Sequence, residues 1–276
     1  MLHWVQVALH AAFITSRILI MADEDTWIFV DANTCSSRSW SCYFKPLSQC
    51  TESSLKHNPS RVTSFEELQQ ENTGVVEVEL GALSTVCPVA SCAHMIPSQF
   101  KDQGLLWWRS QLAVFIWKLN PQVLHAVQMA KMQLGSLENA IGVHIRRSDK
   151  LTESPPLPIA LYATAVSELA DRLNTSKIFL VTDSNDVIKQ TQTWRNFHII
   201  SHEYHRHEIA WWRGIQGGVV NSTTEAMRYL VDMQLLQEMR GFVGAFASNA
   251  ARLAYELLIG SNKSCTVTSV DMCWIP

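Results

Sequence analysis

The chain has 276 residues, 47% hydrophobic and 17% charged, with a formal net charge of -3. That is enough to bury a large core arranged as roughly two lobes, and the slightly acidic balance excludes a general nucleic-acid binder. His3, Gln6, His10, Ser16 and Arg17 interrupt the first apolar run long before the ~18 residues of a membrane span, and no signal-peptide pattern precedes it.

In chain order, residues 3 to 15 read as a helix, with 17 to 21 and 27 to 31 as short strands. From 32 to 59 the composition turns to Ser, Cys, Asn and Pro, which predicts an irregular excursion that disulfides could tie. The seven cysteines (Cys35, Cys42, Cys50, Cys87, Cys92, Cys265 and Cys273) make no CxxC pair, which argues against a zinc ribbon or a thioredoxin-like motif. Sequons at Asn174, Asn221 and Asn262 fit a secretory lumen, where such cysteines oxidise. Val75 to Leu80 alternates like a strand. Trp108, Leu112, Phe115 and Leu119 recur at spacings of three and four, so Gly104 to Leu119 reads as a helix whose aromatics face the core. Pro121 opens the next helix, and 134 to 139 forms a connection.

Beyond residue 139 the pattern becomes regular. Strands at 140 to 146, 177 to 182, 197 to 200, 241 to 246 and 265 to 270 alternate with helices at 158 to 174, 185 to 195, 223 to 240 and 248 to 258. Such alternation predicts a parallel sheet covered on both faces, a Rossmann-like lobe whose ligand sits beyond the strand C-termini. The first of these strands, Ile141 to Ile145, runs straight into Arg146, Arg147, Asp149 and Lys150. Guanidinium forks at a strand end suit the oxygens of a phosphate, and a nucleotide-linked substrate follows; an Arg-Arg pair that only salt-bridges carboxylates is the competing reading.

The run His144-Ile-Arg-Arg-Ser-Asp-Lys150, then Glu153, Tyr162, Leu180-Val-Thr-Asp183, Asp232 and Phe246-Ala-Ser-Asn-Ala-Ala-Arg252, resembles the α1,6-fucosyltransferases that fucosylate the innermost GlcNAc of N-glycans. Upstream, Leu2-His3, Phe44-Lys-Pro46 and Trp107-Trp108 are similar to pieces of that family's first lobe. The resemblance implies a two-lobed, glycosyltransferase-B-like α/β fold, with an acceptor-side lobe at 1 to 138 and a GDP-fucose-binding lobe at 139 to 276. It implies inverting, metal-independent transfer of L-fucose from GDP-fucose, with no cofactor. In that reading Arg146 neutralises the departing diphosphate, and Glu153 with Lys150 serves the acceptor hydroxyl as a base.

Substrate contacts fall on His144, Arg147, Asp149, Tyr162, Asp183, Asp232, Phe246 and Ser248. Asp232 matches the carboxylate that selects guanine, because its two oxygens accept from N1 and N2 together. An i, i+4 pair with Arg228 on a solvent face competes with that role. Tyr162 also has a packing reading, and Ser248 at a helix start offers a hydroxyl and amides suited to phosphate. The expected partners are GDP-fucose and an N-glycan or other GlcNAc-containing acceptor, in the Golgi or secretory lumen; a homodimer is left open. Chitin oligosaccharide or protein Ser/Thr as acceptor, and a non-catalytic GDP-sugar-binding relative, are the alternatives.

The chain also departs from the family pattern. It starts after the position of the family's glycine-containing loop, and its first lobe is expected to be truncated there. Ser184 stands where a second Asp is common, Ala247 replaces a serine, and a family disulfide would fall on Gly244 and Ala251. Two motifs are set aside. In Ser201 to Glu208, His202 and His205 are three apart rather than the four of a helical zinc motif, and Asp23-Glu-Asp25 reads as a solvated turn.

Overall fold

The computed structural model describes residues 2–21, 27–51, 53, 55, 59–71, 75–78, 86–87, 92, 95–147, 156–207, 211–261 and 266–271. The first part of the chain is mostly helical. Helix α1 (Leu2–Ile14) is followed by a 3-10 turn at Trp40–Cys42, a short parallel pair of β1 (Ser60–Arg61) and β2 (Val76–Glu77), and α2 (Phe65–Gln70) between them. Helices α3 (Gly104–Ile116) and α4 (Pro121–Leu134) complete it. The sequence marks the limits of α4 well: Asn120 accepts from the Val123 amide, Pro121 takes the first turn, and Gly135 leaves at a φ of 76°.

The strands expected at 17 to 21 and 27 to 31 do not form. Trp27 and Val30 instead bury their side chains in the large core cluster, and among the described residues neither belongs to a strand. The strand expected from Val75 reduces, among the described residues, to Val76–Glu77. Phe115 is 41% exposed with Lys118 over its ring, so it leaves the core stripe, while Trp108, Leu112 and Leu119 stay in it. Disulfides link Cys35 to Cys42 and Cys87 to Cys92; Cys50 is free and exposed.

From residue 141 the predicted alternation is realised as β3 (Ile141–Ile145), α5 (Ile159–Leu173), β4 (Lys177–Thr182), α6 (Asn185–Thr191), β5 (His198–Ile200), α7 (Trp211–Gln216), α8 (Ser222–Leu236), β6 (Gly241–Gly244), α9 (Asn249–Gly260) and β7 (Thr266–Ser269). The strands form one parallel sheet in the order β5-β4-β3-β6-β7. Period-two alternation sends Ile141, Val143 and Ile145 to the face that packs with Tyr162, Val166 and Leu169 of α5. Gly142 lies under α8, where an added Cβ would come within 2.7 Å of Leu236 Cδ2 and 3.0 Å of Met239 Cγ, so a larger residue there would require these side chains to shift. The core on the α8 side is continuous with the helices of the first part: Leu2, Val5, Ile116, Val123, Phe179, Leu235 and Phe242 belong to one cluster.

Candidate active site at the edge of the parallel sheet

The central strand β3 carries the arginine pair outward. Directly beyond it, the Arg147 amide donates to Asp183 Oδ1 at 2.8 Å, and Asp183 itself follows the end of β4. The Arg147 guanidinium is turned to the chain: its Nη2 donates to the Leu157 carbonyl at 2.6 Å. Through this bond Arg147 helps to shape the loop. Arg146 is half-buried and lies within electrostatic reach of His144 and of Tyr229 on α8, the hydroxyl pKa of which burial drives up. Asp149, Lys150 and Glu153 lie outside the described residues.

His144 pairs in register with Val181 and Gly244 and is 7% exposed. Burial chiefly lowers its pKa to about 4, Asp183 working against the shift and Arg146 with it, so the imidazole is neutral near pH 7. Its Nδ1 has no hydrogen-bond partner among the described residues. Tyr162 is 2% exposed and packs beneath β3, its phenol pushed up to about 12 mainly by burial. Its ring packs in the core between α5 and the strand, and its hydroxyl lies within electrostatic reach of Arg147 and Asp271. Phe246 is buried and stacks on Tyr255 of α9, centroids 4.9 Å apart.

At the start of α9, Ser248 is buried and its Oγ has no partner among the described residues. The amides of Phe246 and Ala247, however, already donate to the two carboxylate oxygens of Asp271, at 2.6 and 2.8 Å. An internal carboxylate therefore occupies part of the turn where an anion was expected. Ser184 caps α6 by accepting from the Val187 amide at 3.4 Å. A Cβ on Gly244 would lie 3.1 Å from Ala251 Cβ, so the two positions face each other, filled by small residues.

Asp232 is 4% exposed on the inner side of α8, so the solvent-face pairing does not occur; Arg228 pairs with Glu225 instead. Burial raises the Asp232 pKa to about 7, opposed by Arg206, a hydrogen bond from Tyr204 and Arg228, and reinforced by Glu225. It borders a cavity of about 640 Å³ together with Ala130, His202, Tyr204, Thr223 and Val231. The wall from 201 to 207, which the sequence offered only as a metal-like run, is folded back by Arg206. This guanidinium donates to the carbonyls of Thr182, His202 and Tyr204 at 2.9, 3.0 and 3.3 Å. The Tyr204 ring lies between Arg206 and Arg228, 4.4 and 4.5 Å from its centroid. The available signal was position: the segment follows β5 directly, at the C-terminal edge of the sheet.

A family model of the N- and catalytic domains of alpha-(1,6)-fucosyltransferases matches residues 1–271. The chain belongs to this family. A curated alpha-(1,6)-fucosyltransferase from Drosophila melanogaster is 22% identical over 271 residues, which cover 93% of this chain and 41% of the relative. This chain thus spans less than half of that protein's length. Among solved structures, NodZ alpha-1,6-fucosyltransferase soaked with GDP-fucose superposes with a TM-score of 0.52 at 16% identity, covering 92% of this chain and 87% of that one. That likeness shows the fold, the glycosyltransferase-B-like α/β class.

Proposed function

We propose that the chain transfers L-fucose from GDP-fucose, with inversion and without a divalent metal, to a GlcNAc of an N-glycan in α1,6 linkage. The observation that carries this is a buried Asp232 lining a cavity of about 640 Å³, in a chain whose arginine loop is held by Asp183 at the end of β3. The acceptor oxygen attacks the anomeric carbon, the bond from that carbon to the diphosphate oxygen breaks, and its electron pair leaves on GDP. Arg146 stabilises that charge, and the acceptor proton passes to Glu153, with Lys150 beside it.

Asp232 accepts from N1 and N2 of guanine, and His144, Arg147, Asp149 and Ser248 are assigned to substrate binding. Residues 139 to 276 form the donor lobe and 1 to 138 the acceptor side. Family membership supports a place in the Golgi or secretory lumen, and no helix among the described residues is long and apolar enough to cross a membrane.

The test is calorimetric titration with GDP, ADP and UDP, followed by transfer to a biantennary glycan with a free GlcNAc terminus and to a chitin oligosaccharide, each with and without EDTA. Guanine preference, EDTA-insensitive transfer to the glycan and loss of at least ~10²-fold in kcat for Arg146→Ala are expected. Equal affinity for ADP and GDP, or a strict metal requirement, would overturn it.

A further inference from the structure

We propose that His202 is a second base-reading residue, a specificity-determining group that donates to guanine O6 beside Asp232. The proposal rests on the nucleotide reading above and deepens it. His202 Nε2 lies 3.2 Å from Asp232 Oδ1, yet the ring N–H is not aimed at that oxygen, and both atoms are buried without a hydrogen-bond partner among the described residues. Unmet polar atoms at such depth are costly in the empty protein. A ligand that offers each its complement relieves that cost.

The order of the groups names the complement. A ring N–H followed by two carboxylate oxygens presents donor, acceptor, acceptor. The pairing edge of guanine presents acceptor, donor, donor in O6, N1–H and N2–H, whereas adenine opens with a donor and continues with an acceptor. Asp232 alone reads N1 and N2; with His202 all three positions are read.

The backbone around the ring is held. Arg206 Nη2 donates to the His202 carbonyl at 3.0 Å while its Nε donates to the Thr182 carbonyl at 2.9 Å, fixing the segment to the end of β4. The ring meets Phe179 edge-on, centroids 6.0 Å apart. The side chain is 18% exposed, and both residues line the cavity.

The experiment compares GDP, IDP and 6-thio-GDP by calorimetry at pH 8 in the full chain, with His202→Phe and His202→Asn. IDP lacks the N2 amine and reports on Asp232; sulfur at position 6 is a weak acceptor and reports on His202. The wild type should bind GDP about tenfold more tightly than 6-thio-GDP. That ratio should fall to near one in His202→Phe and return in part in His202→Asn, while the preference for GDP over IDP persists in both. An unchanged GDP to 6-thio-GDP ratio in His202→Phe, with guanine preference lost in Asp232→Asn, sinks the His202 role and leaves the site reading intact. No guanine preference in the wild type sinks the underlying reading. Should His202→Phe fail to fold, the same ratio in His202→Ala and His202→Asn decides.

Discussion

The amide of Arg147 donates to Asp183 Oδ1 across 2.8 Å, which ties the end of β3 to the end of its neighbour β4. A charge-assisted bond at this point fixes the direction in which the arginine loop leaves the sheet. Asp183→Ala should therefore lower kcat about tenfold or more and change the KM for GDP-fucose less, because misplacement of a charge-stabilising group acts on the transition state. Asp183→Asn, which keeps an acceptor, should recover most of the loss. Steady-state kinetics of the two variants checks this.

The two arginines should separate in their effects. Arg147 Nη2 is committed to the Leu157 carbonyl, so Arg147→Ala should lower the melting temperature and leave more of kcat than Arg146→Ala does. Thermal denaturation run beside the kinetics distinguishes them. An equal kcat loss with unchanged stability in Arg147→Ala would reverse the assignment.

Nucleotide affinity should depend on pH through Asp232. Its pKa is raised by burial to about 7, and the charges facing it are Arg206 and Arg228, which oppose the shift, and Glu225, which adds to it; His202 beside it has its own pKa lowered, first by burial. Only the carboxylate accepts from N1–H, so GDP affinity should fall as pH drops below 7, approaching about tenfold per unit, and flatten in Asp232→Asn.

Stability without nucleotide carries the opposite sign for this group. A raised pKa means the native state holds the proton more tightly, so the contribution is full below the ordinary value of 3.8 and is lost as pH rises through about 7. His144, depressed from 6.5 to about 4, contributes stability above 6.5 that is lost as pH falls through about 4. Comparing denaturation of wild type and Asp232→Asn from pH 4 to 8 isolates the Asp232 part.

Glu256 on α9 pairs with Arg109 on α3 at 3.0 Å, with side-chain exposures of 3% and 11%, and also accepts from Gln6 of α1 at 2.9 Å. Glu256→Ala leaves a largely buried guanidinium uncompensated and should destabilise the protein by about 3–5 kcal/mol. The double variant Glu256→Leu, Arg109→Leu should recover much of that. Urea titration measures both.

The sequence by itself determined the parallel sheet, its strands and most of its helices, since period-two and period-3.6 patterns and caps such as Asn120 are local signals read within a few residues. It also placed the arginines at the end of β3, because a strand's limit is local too. The strands expected at 17 to 21 and 27 to 31 failed because an extended segment needs a partner, and pairing is decided by distant chain. Only the tertiary structure brought His202 against Asp232, thirty positions on, and Asp271 against the amides of Phe246 and Ala247. Those meetings depend on crossover paths and on how α8 and β7 settle against the sheet. Burial, which local spacing does not encode, then set the charge state of each group.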